Sequence, residues 1–298
     1  MRRNIIYILS IVTAFAVLDF SIERFMLHGV QESYGLRQHS QMLIIGHSHL
    51  MLATDKVRME KELGLKISKY TREGVNVTDR KMMVKQYLDS PYSDSLKICL
   101  YGVDLCTFTG EGLSQNSYKL FYPFIDEPNF SEYIRQQTDA TDYWTHKLIR
   151  TSRYNEDGLK NSSFRGWLHD WSNRKYGVVD IEVYKQRLAE GNERHIMMNE
   201  ELMQEFQETI DMMTARGVRV ILVNTPTLDL LNDFEPEQFA EIVAWYKDYA
   251  SQNDLVDYWD FNPEYSSHHD IFVDRLHLNE KGQQIITDEL IRRLKENE

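Results

Sequence analysis

The sequence predicts an α/β protein, with a parallel sheet of about five strands at its core, a long and mainly helical insertion, and an N-terminal transmembrane helix. Three observations lead to this prediction. Five short apolar runs are separated by segments with a helical pattern, residues 103–197 contain no convincing strand, and an apolar segment follows two arginines at the N-terminus.

The N-terminal segment is apolar from Ile5 to Leu18 except for Ser10 and Thr13. Positive charge in front of such a run keeps that end in the cytoplasm. The run reaches about 18 residues only if residues 19–22 are counted, which is close to the lower limit for crossing a bilayer. We therefore predict a transmembrane anchor or uncleaved signal at residues 1–22 and a juxtamembrane stalk at residues 23–40.

Two alternatives to a retained anchor remain open. Ala14-Phe15-Ala16 resembles a signal-peptidase site, although cleavage there would leave a very short signal and an apolar new terminus. A buried core helix is the other alternative, and the flanking arginines disfavour it. With or without cleavage, we expect the rest of the chain to be exported, as in a single-pass protein of the bacterial inner membrane whose main domain lies on the periplasmic or extracellular side.

The predicted strands are residues 41–46, 65–70, 96–103, 218–224 and 255–261. Runs that are apolar at nearly every position are typical of parallel strands covered on both faces. The alternation of strands and helices predicts right-handed crossovers and a doubly wound, flavodoxin-like sheet. In such sheets the ligand lies beyond the carboxyl ends of the strands.

Helices are predicted at residues 55–63, 197–216, 236–251 and 280–295, with Gly217 ending the second and Asn279 capping the last. They complete one domain over residues 41–298, interrupted by an insertion at about 107–196. The insertion is rich in aromatic residues and holds three of the five tryptophans, Trp144, Trp167 and Trp171. A lid or a sugar-stacking wall is one interpretation, and a small satellite core, which we favour, is the other.

Composition excludes one class of partner. The formal net charge is -12, so a nonspecific nucleic-acid surface would need a local basic patch, and the sequence has none. Cys99 and Cys106 lie in or beside an apolar run, where a buried thiol is expected more than a disulfide.

The first candidate for chemistry is Ser48, in Gly46-His47-Ser48-His49 directly after the first predicted strand. A serine there lies at the mouth of the sheet, and a neighbouring base can activate its hydroxyl as a nucleophile. Taken alone, such a serine is more often a helix cap.

Asp274 and His277 form the second candidate, three residues apart and just before the last helix. On a tight turn this spacing lets the carboxylate accept a hydrogen bond from imidazole Nδ1–H and leaves Nε2 free to face a serine. Together with Ser48, the pair predicts a catalytic triad in preference to a surface ion pair.

These segments resemble, in order, the conserved blocks of the SGNH (GDSL-like) hydrolases. The resemblance covers residues 41–106 and 218–295 and rests on Gly46-His47-Ser48, Gly74, Gly102-Val103-Asp104 and Asp274-x-x-His277. It implies that Ser48 is the nucleophile, that His277 and Asp274 complete the triad, and that Ser48, Gly74 and Asp104 form the oxyanion hole. The combination of an N-terminal anchor with such a domain resembles the accessory proteins of alginate O-acetylation and lipoteichoic-acid D-alanylation.

The chain departs from the family pattern at two positions. His47 replaces the aspartate of the first block, and Asp104 replaces the asparagine whose side chain donates to the oxyanion. An ionised carboxylate would repel an oxyanion, so Asp104 could serve only if protonated or turned away. Asn76 and Asn224 are alternative polar groups near the predicted strand ends.

Histidines are crowded near both catalytic segments, namely His47, His49, His268, His269 and His277. Their spacing matches no known zinc motif, so we predict no metal and no cofactor.

The predicted function is a serine esterase or O-acyltransferase of the cell envelope, acting on an acylated, for example acetylated, glycan through an acyl-enzyme. The alternatives are a non-catalytic partner of a multi-spanning membrane acyltransferase and an export-side scaffold with a vestigial triad. The anchor and Asp104 favour the partner role, whereas the complete triad favours the enzyme.

Overall fold

A computed structural model describes residues 2–109, 116–191 and 193–297 of the chain. The described residues form two compact units. Residues 2–34 and 116–170 make up the first unit, and residues 35–109, 171–191 and 193–297 make up the second.

The second unit contains a five-stranded parallel sheet. Its strands are β1 (Met42–Gly46), β2 (Ile67–Thr71), β3 (Ile98–Val103), β4 (Arg219–Asn224) and β5 (Val256–Asp260). They lie in the order β2-β1-β3-β4-β5, and every neighbouring pair is parallel. This is the order of a flavodoxin-like sheet, so the predicted fold class is confirmed.

The described α-helices, in chain order, are α1 (Arg2–Tyr34), α2 (Ser48–Ala53), α3 (Lys56–Leu63), α4 (Val77–Asp89), α5 (Pro128–Gln137), α6 (Ala140–Leu148), α7 (Asp157–Leu168), α8 (Ile181–Ala189), α9 (Glu200–Thr214), α10 (Asp229–Asn232), α11 (Pro236–Ser251), α12 (Asn262–Tyr265) and α13 (Glu280–Glu296). Short 3-10 helices span Ser93–Ser95, Ser117–Phe124, Arg150–Tyr154 and His269–Ile271.

Helices cover the sheet of the second unit on both faces. Every residue of β1 is buried, as its continuous apolar run predicted. One layer contains α4, α9 and α11, with Phe206 of α9 in edge contact with Trp245 of α11. The other contains α3 and α13.

The first unit is helical. Helix α1 packs along α7, where a Cβ on Gly166 would lie 1.8 Å from the carbonyl oxygen of Gly29, so only glycine permits this close approach. Met26 and Val30 are buried in the unit, whereas the large apolar side chains of residues 5–18 are exposed. Most of the insertion's buried aromatic side chains, among them Phe121 and Phe130, belong to this unit.

Helix α1 continues beyond the predicted anchor boundary. Residues 23–34, expected as the first part of a stalk, are helical, and Glu23 is only 2% exposed. The carboxylate of Asp19 accepts hydrogen bonds from the backbone N–H groups of Arg150 and Thr151, each at 2.8 Å. Among the described residues, α1 is the one helix long and apolar enough to cross a membrane.

Candidate active site

The predicted catalytic segments lie together around a cleft of about 210 Å³. The residues that line it are His47, Ser48, His49, Gly74, Asp104, Leu105, Cys106, Glu193, Arg194, Leu231, Arg275, Leu276 and His277. Ser48 and Asp104 follow the carboxyl ends of β1 and β3, which is where a doubly wound sheet binds its ligands.

Ser48 is the first residue of α2, a short helix that the sequence did not predict. His47 caps this helix by accepting a hydrogen bond from the His49 N–H at its Nδ1, 3.2 Å away. Helix α2 lies close over the strand ends, since a Cβ on Gly102 would meet Leu50 Cβ at 3.0 Å. The glycine thus lets α2 hold the half-buried serine at the mouth of the sheet.

Ser48, His277 and Asp274 form a continuous hydrogen-bonded chain. Ser48 Oγ lies 2.8 Å from His277 Nε2, and His277 Nδ1 lies 2.8 Å from Asp274 Oδ2. The carboxylate also accepts hydrogen bonds at 2.9 Å from the backbone N–H groups of Leu276 and His277. The tight turn therefore fixes both the carboxylate and the imidazole, with one ring nitrogen directed at the serine.

The charge of Asp274 is stabilised by these contacts. Partial burial by itself would raise the pKa of this carboxyl, but the hydrogen bond and the charge of His277, with the two backbone N–H groups, lower the pKa to about 2. Asp274 is therefore ionised at neutral pH. It can hold the imidazole in one tautomer and stabilise its protonated form.

The predicted oxyanion-hole residues Ser48, Gly74 and Asp104 all line the cleft, but they differ in whether they can donate a hydrogen bond to an oxyanion. Gly74 has φ of +76°, which favours glycine at this position. The Ser48 N–H, at the first position of α2, has no intrahelical acceptor. The Asp104 side chain, by contrast, is an acceptor: its Oδ1 receives hydrogen bonds from the Cys106 N–H at 2.7 Å and the Thr107 hydroxyl at 3.2 Å.

Neither asparagine considered as an alternative donor is among the lining residues. Asn76 caps α4 with its side-chain oxygen. Asn224 donates from Nδ2 to the Tyr258 hydroxyl at 2.9 Å and to Asp260 at 3.2 Å.

Asp104 also contacts two histidines deep in the cleft. Its Oδ2 lies 2.7 Å from His47 Nε2 and 3.0 Å from His49 Nδ1, and the three residues are 3–7% exposed. Burial would raise the pKa of Asp104, but the two imidazoles hold it well below its usual value. Burial, reinforced by His47, lowers the pKa of His49 to about 4, so that ring is neutral at neutral pH.

Charged residues on the wall of the cleft were not found from the sequence. Arg275 Nε donates to Glu193 at 2.8 Å, and Arg194 is exposed. Arg275 stands inside the predicted Asp-x-x-His segment, whereas Glu193 and Arg194 follow α8, where no motif signals a site. Cys106 also lines the cleft, and burial raises the pKa of its thiol to about 12.

The fold and the cleft define an α/β protein with a Ser-His-Asp constellation beyond the carboxyl ends of its strands. No protein-family model and no curated protein sequence matches the chain.

Solved structures do match the chain. A lipase from a goat rumen metagenome has 9% identity and a TM-score of 0.42, over 84% of this chain and 95% of that one. A candidate acylhydrolase of Bacteroides fragilis has 12% identity and a TM-score of 0.42, over 89% and 94%. An acetyl xylan esterase of Butyrivibrio proteoclasticus has 11% identity and a TM-score of 0.38, over 87% and 64%. Likenesses this low carry no function to this chain.

Proposed function

We propose that the protein is a membrane-anchored serine esterase or O-acyltransferase of the cell envelope, with Ser48 as the nucleophile. The observation that carries this proposal is the unbroken chain of contacts from Ser48 Oγ through His277 to Asp274, each 2.8 Å long. These lengths lie within the range at which a base takes a proton from a nucleophile.

The reaction begins when His277 Nε2 takes the Ser48 proton as Oγ attacks the ester carbonyl. Asp274 stays ionised and stabilises the imidazolium that forms. His277 then gives the proton to the leaving alkoxide, which departs as the alcohol and leaves an acyl-serine. In the second half, His277 takes a proton from water or from a sugar hydroxyl, whose oxygen attacks the acyl carbon. The bond between that carbon and Ser48 Oγ then breaks, and His277 returns the proton to Oγ.

The negative oxygen formed during attack needs donors that are already in place. We assign the backbone N–H groups of Ser48 and Gly74 to this role. The Asp104 carboxylate accepts hydrogen bonds and stays ionised, so in this proposal it supports the cleft and does not donate to the oxyanion.

Acylated envelope glycans are the proposed substrates. This choice rests on the SGNH resemblance and on the apolar helix α1, which would retain the enzyme at the membrane. A water acceptor gives an esterase, and a sugar hydroxyl gives a transferase that can work beside a multi-spanning acyltransferase.

The specific observation that favours a second function, a non-catalytic partner of such an acyltransferase, is the carboxylate at the usual position of an oxyanion donor. The labelling experiment that follows separates the two functions, because a binding partner has no need of a reactive serine.

Labelling with a fluorophosphonate probe tests the enzyme proposal. We expect intact-protein mass spectrometry to find one adduct on the wild type and none on Ser48→Ala or His277→Ala, because only a triad-activated serine is nucleophilic enough. Ser95→Ala, a change at a half-buried serine outside the cleft, is the matched control and should label fully. Equal labelling of wild type and Ser48→Ala, or a folded wild type that does not label, would contradict the proposal.

The membrane assignment has its own test. Positive charge before the apolar run should place the C-terminal side outside the cytoplasm. Alkaline phosphatase fused after Glu298 should then be active, and the fusion should sediment with membranes until detergent is added. An inactive, freely soluble fusion would contradict the assignment, and an active but soluble one would indicate cleavage near Ala16.

A further inference from the structure

We propose that His47, His49 and Asp104 bind a divalent metal ion of the zinc type beside Ser48. His47 and His49 follow β1, with His49 already in α2, and Asp104 follows β3; each is more than nine-tenths buried. One ligand atom from each lies within 4.8 Å of the others. The set combines two imidazole nitrogens and one carboxylate oxygen, the donors that catalytic zinc sites use while keeping a further position open.

Alignment favours a metal over a simple histidine–carboxylate cluster. His47 Nε2 and His49 Nδ1 approach Asp104 Oδ2 to 2.7 and 3.0 Å, yet neither buried nitrogen has a hydrogen-bond partner among the described residues. At these short distances, the absence of a hydrogen bond means that Asp104 Oδ2 lies off the direction in which each nitrogen carries its hydrogen or lone pair. A cation bound by all three atoms would satisfy both nitrogens, which are otherwise costly to bury without a partner.

Hydrogen bonds to Oδ1 fix the orientation of the Asp104 carboxylate, as is typical of carboxylates that bind a metal ion. Oδ1 accepts from the Cys106 N–H and the Thr107 hydroxyl, which leaves Oδ2 to face the two rings. Such outer contacts orient the first ligands of a metal site, and losing one commonly weakens affinity by about 10–100-fold.

One hydrogen bond of His47 would have to break when the metal ion binds. His47 Nδ1 accepts the His49 N–H, so a neutral ring carries its proton at Nε2. Coordination at Nε2 moves this proton to Nδ1 and breaks that bond. At 3.2 Å it lies at the long end of the hydrogen-bond range, which keeps the cost small.

The site also gives the two departures from the SGNH pattern a common explanation. His47 and Asp104 are the two replaced residues, and their side chains lie 2.7 Å apart. They line the same cleft as Ser48. If the proposed esterase function holds, a metal with an open position there would polarise the ester carbonyl in place of the missing asparagine.

Metal content tests the site directly. Full-length protein in detergent, free of any polyhistidine tag, is stripped with a chelator, incubated with Zn²⁺ and desalted. We expect one zinc per chain by mass spectrometry, and calorimetric affinity at least about 100-fold weaker in Asp104→Asn and His49→Gln. Thr107→Val should weaken it by about 10–100-fold. Zn²⁺ should also raise the melting temperature of the wild type but not of Asp104→Asn.

Two controls distinguish this site from adventitious binding and from the esterase proposal. His269→Gln removes a histidine that is paired with Asp229 outside the cleft and about one-third exposed, and it should leave zinc affinity unchanged. Ser48→Ala should bind zinc like the wild type, which would support the site even if the serine proved unreactive. Less than a tenth of a zinc per folded chain, or unchanged affinity in Asp104→Asn, would overturn the proposal.

Discussion

The cleft contains two histidine–carboxylate groups that differ in origin, depth and alignment. His277 and Asp274 lie on one turn, with side chains 25% and 50% exposed, and their contact is a hydrogen bond. His47, His49 and Asp104 come from the segments that follow two strands. They are almost fully buried, and the two rings approach the carboxylate without forming such a hydrogen bond.

The difference in alignment and burial indicates different chemical roles for the two groups, although their histidine–carboxylate distances are similar. An aligned and partly exposed imidazole can gain and lose a proton during a reaction. Two buried rings around one ionised oxygen instead form a fixed polar cluster. The contribution of such a cluster to stability depends on whether all its polar atoms have partners.

The largest expected effect lies in the aligned group. Asp274→Asn should lower kcat by about 10⁴-fold, because it removes the group that holds His277 in the productive tautomer. Ester hydrolysis by the wild type and the variant at equal folded concentration measures this effect. His269→Gln, a change in a surface histidine–aspartate pair, is the control. A loss below tenfold in Asp274→Asn would place Asp274 outside the machinery.

For the free energy of unfolding we expect the opposite ranking: losing the Asp104 carboxylate should cost more than losing that of Asp274. In metal-free protein, Asp104→Ala should lower the free energy of unfolding by about 2–4 kcal/mol, because the Cys106 N–H and the Thr107 hydroxyl lose their acceptor. Asp274→Ala, at a half-exposed position, should cost about 1 kcal/mol or less. Urea unfolding measures both. Equal losses would remove the distinction between the two groups.

Acid should affect the aligned group through Asp274. Its pKa is about 2 in the folded chain, against an ordinary 3.8. The stabilisation is thus complete above pH 3.8 and is lost as pH falls from 3.8 towards 2. Because the side chain is half exposed, screening by solvent limits it to about 1 kcal/mol.

The difference in unfolding free energy between the wild type and Asp274→Asn should therefore narrow over that pH interval. Unfolding curves at several pH values measure it. A gap that stays constant or widens on acidification would show that His277 does not stabilise the carboxylate.

The smallest effect is expected at a third histidine–aspartate pair, outside the cleft. His269 Nε2 lies 2.9 Å from Asp229, with both side chains about one-third exposed. His269→Gln should change the free energy of unfolding by less than about 0.5 kcal/mol, since solvent screens such pairs. Thermal unfolding is a sufficient measurement. A loss above 2 kcal/mol would mean that burial does not rank these three groups.

The sequence predicted the sheet and the three triad residues because their signals are local. Five apolar runs mark the strands, and Asp274 and His277 are only three positions apart. The roles of the triad residues stay predictions, although the fold brings their side chains together. Asp104 was considered only as an oxyanion residue, and its contacts with His47 and His49 depend on how β1 pairs with β3.

Other features had no readable signal. Glu193 and Arg194 reach the cleft from a segment without a motif, so only the folded chain places them there. Similarly, hydropathy marks where the apolar part of α1 ends but not that the helix continues to Tyr34, because buried contacts with α7 stabilise its polar continuation.

That continuity has a mechanical consequence. At 1.5 Å per residue, the 33 residues of α1 span about 50 Å, well beyond a hydrocarbon layer of about 30 Å. The Asp19 carboxylate, bonded to two backbone N–H groups at Arg150 and Thr151, fastens the helix to its own unit. In a membrane, the first unit would therefore behave as a rigid extension of the anchor. Tilting or rotating the apolar, membrane-embedded part of α1 would turn the whole unit by the same angle.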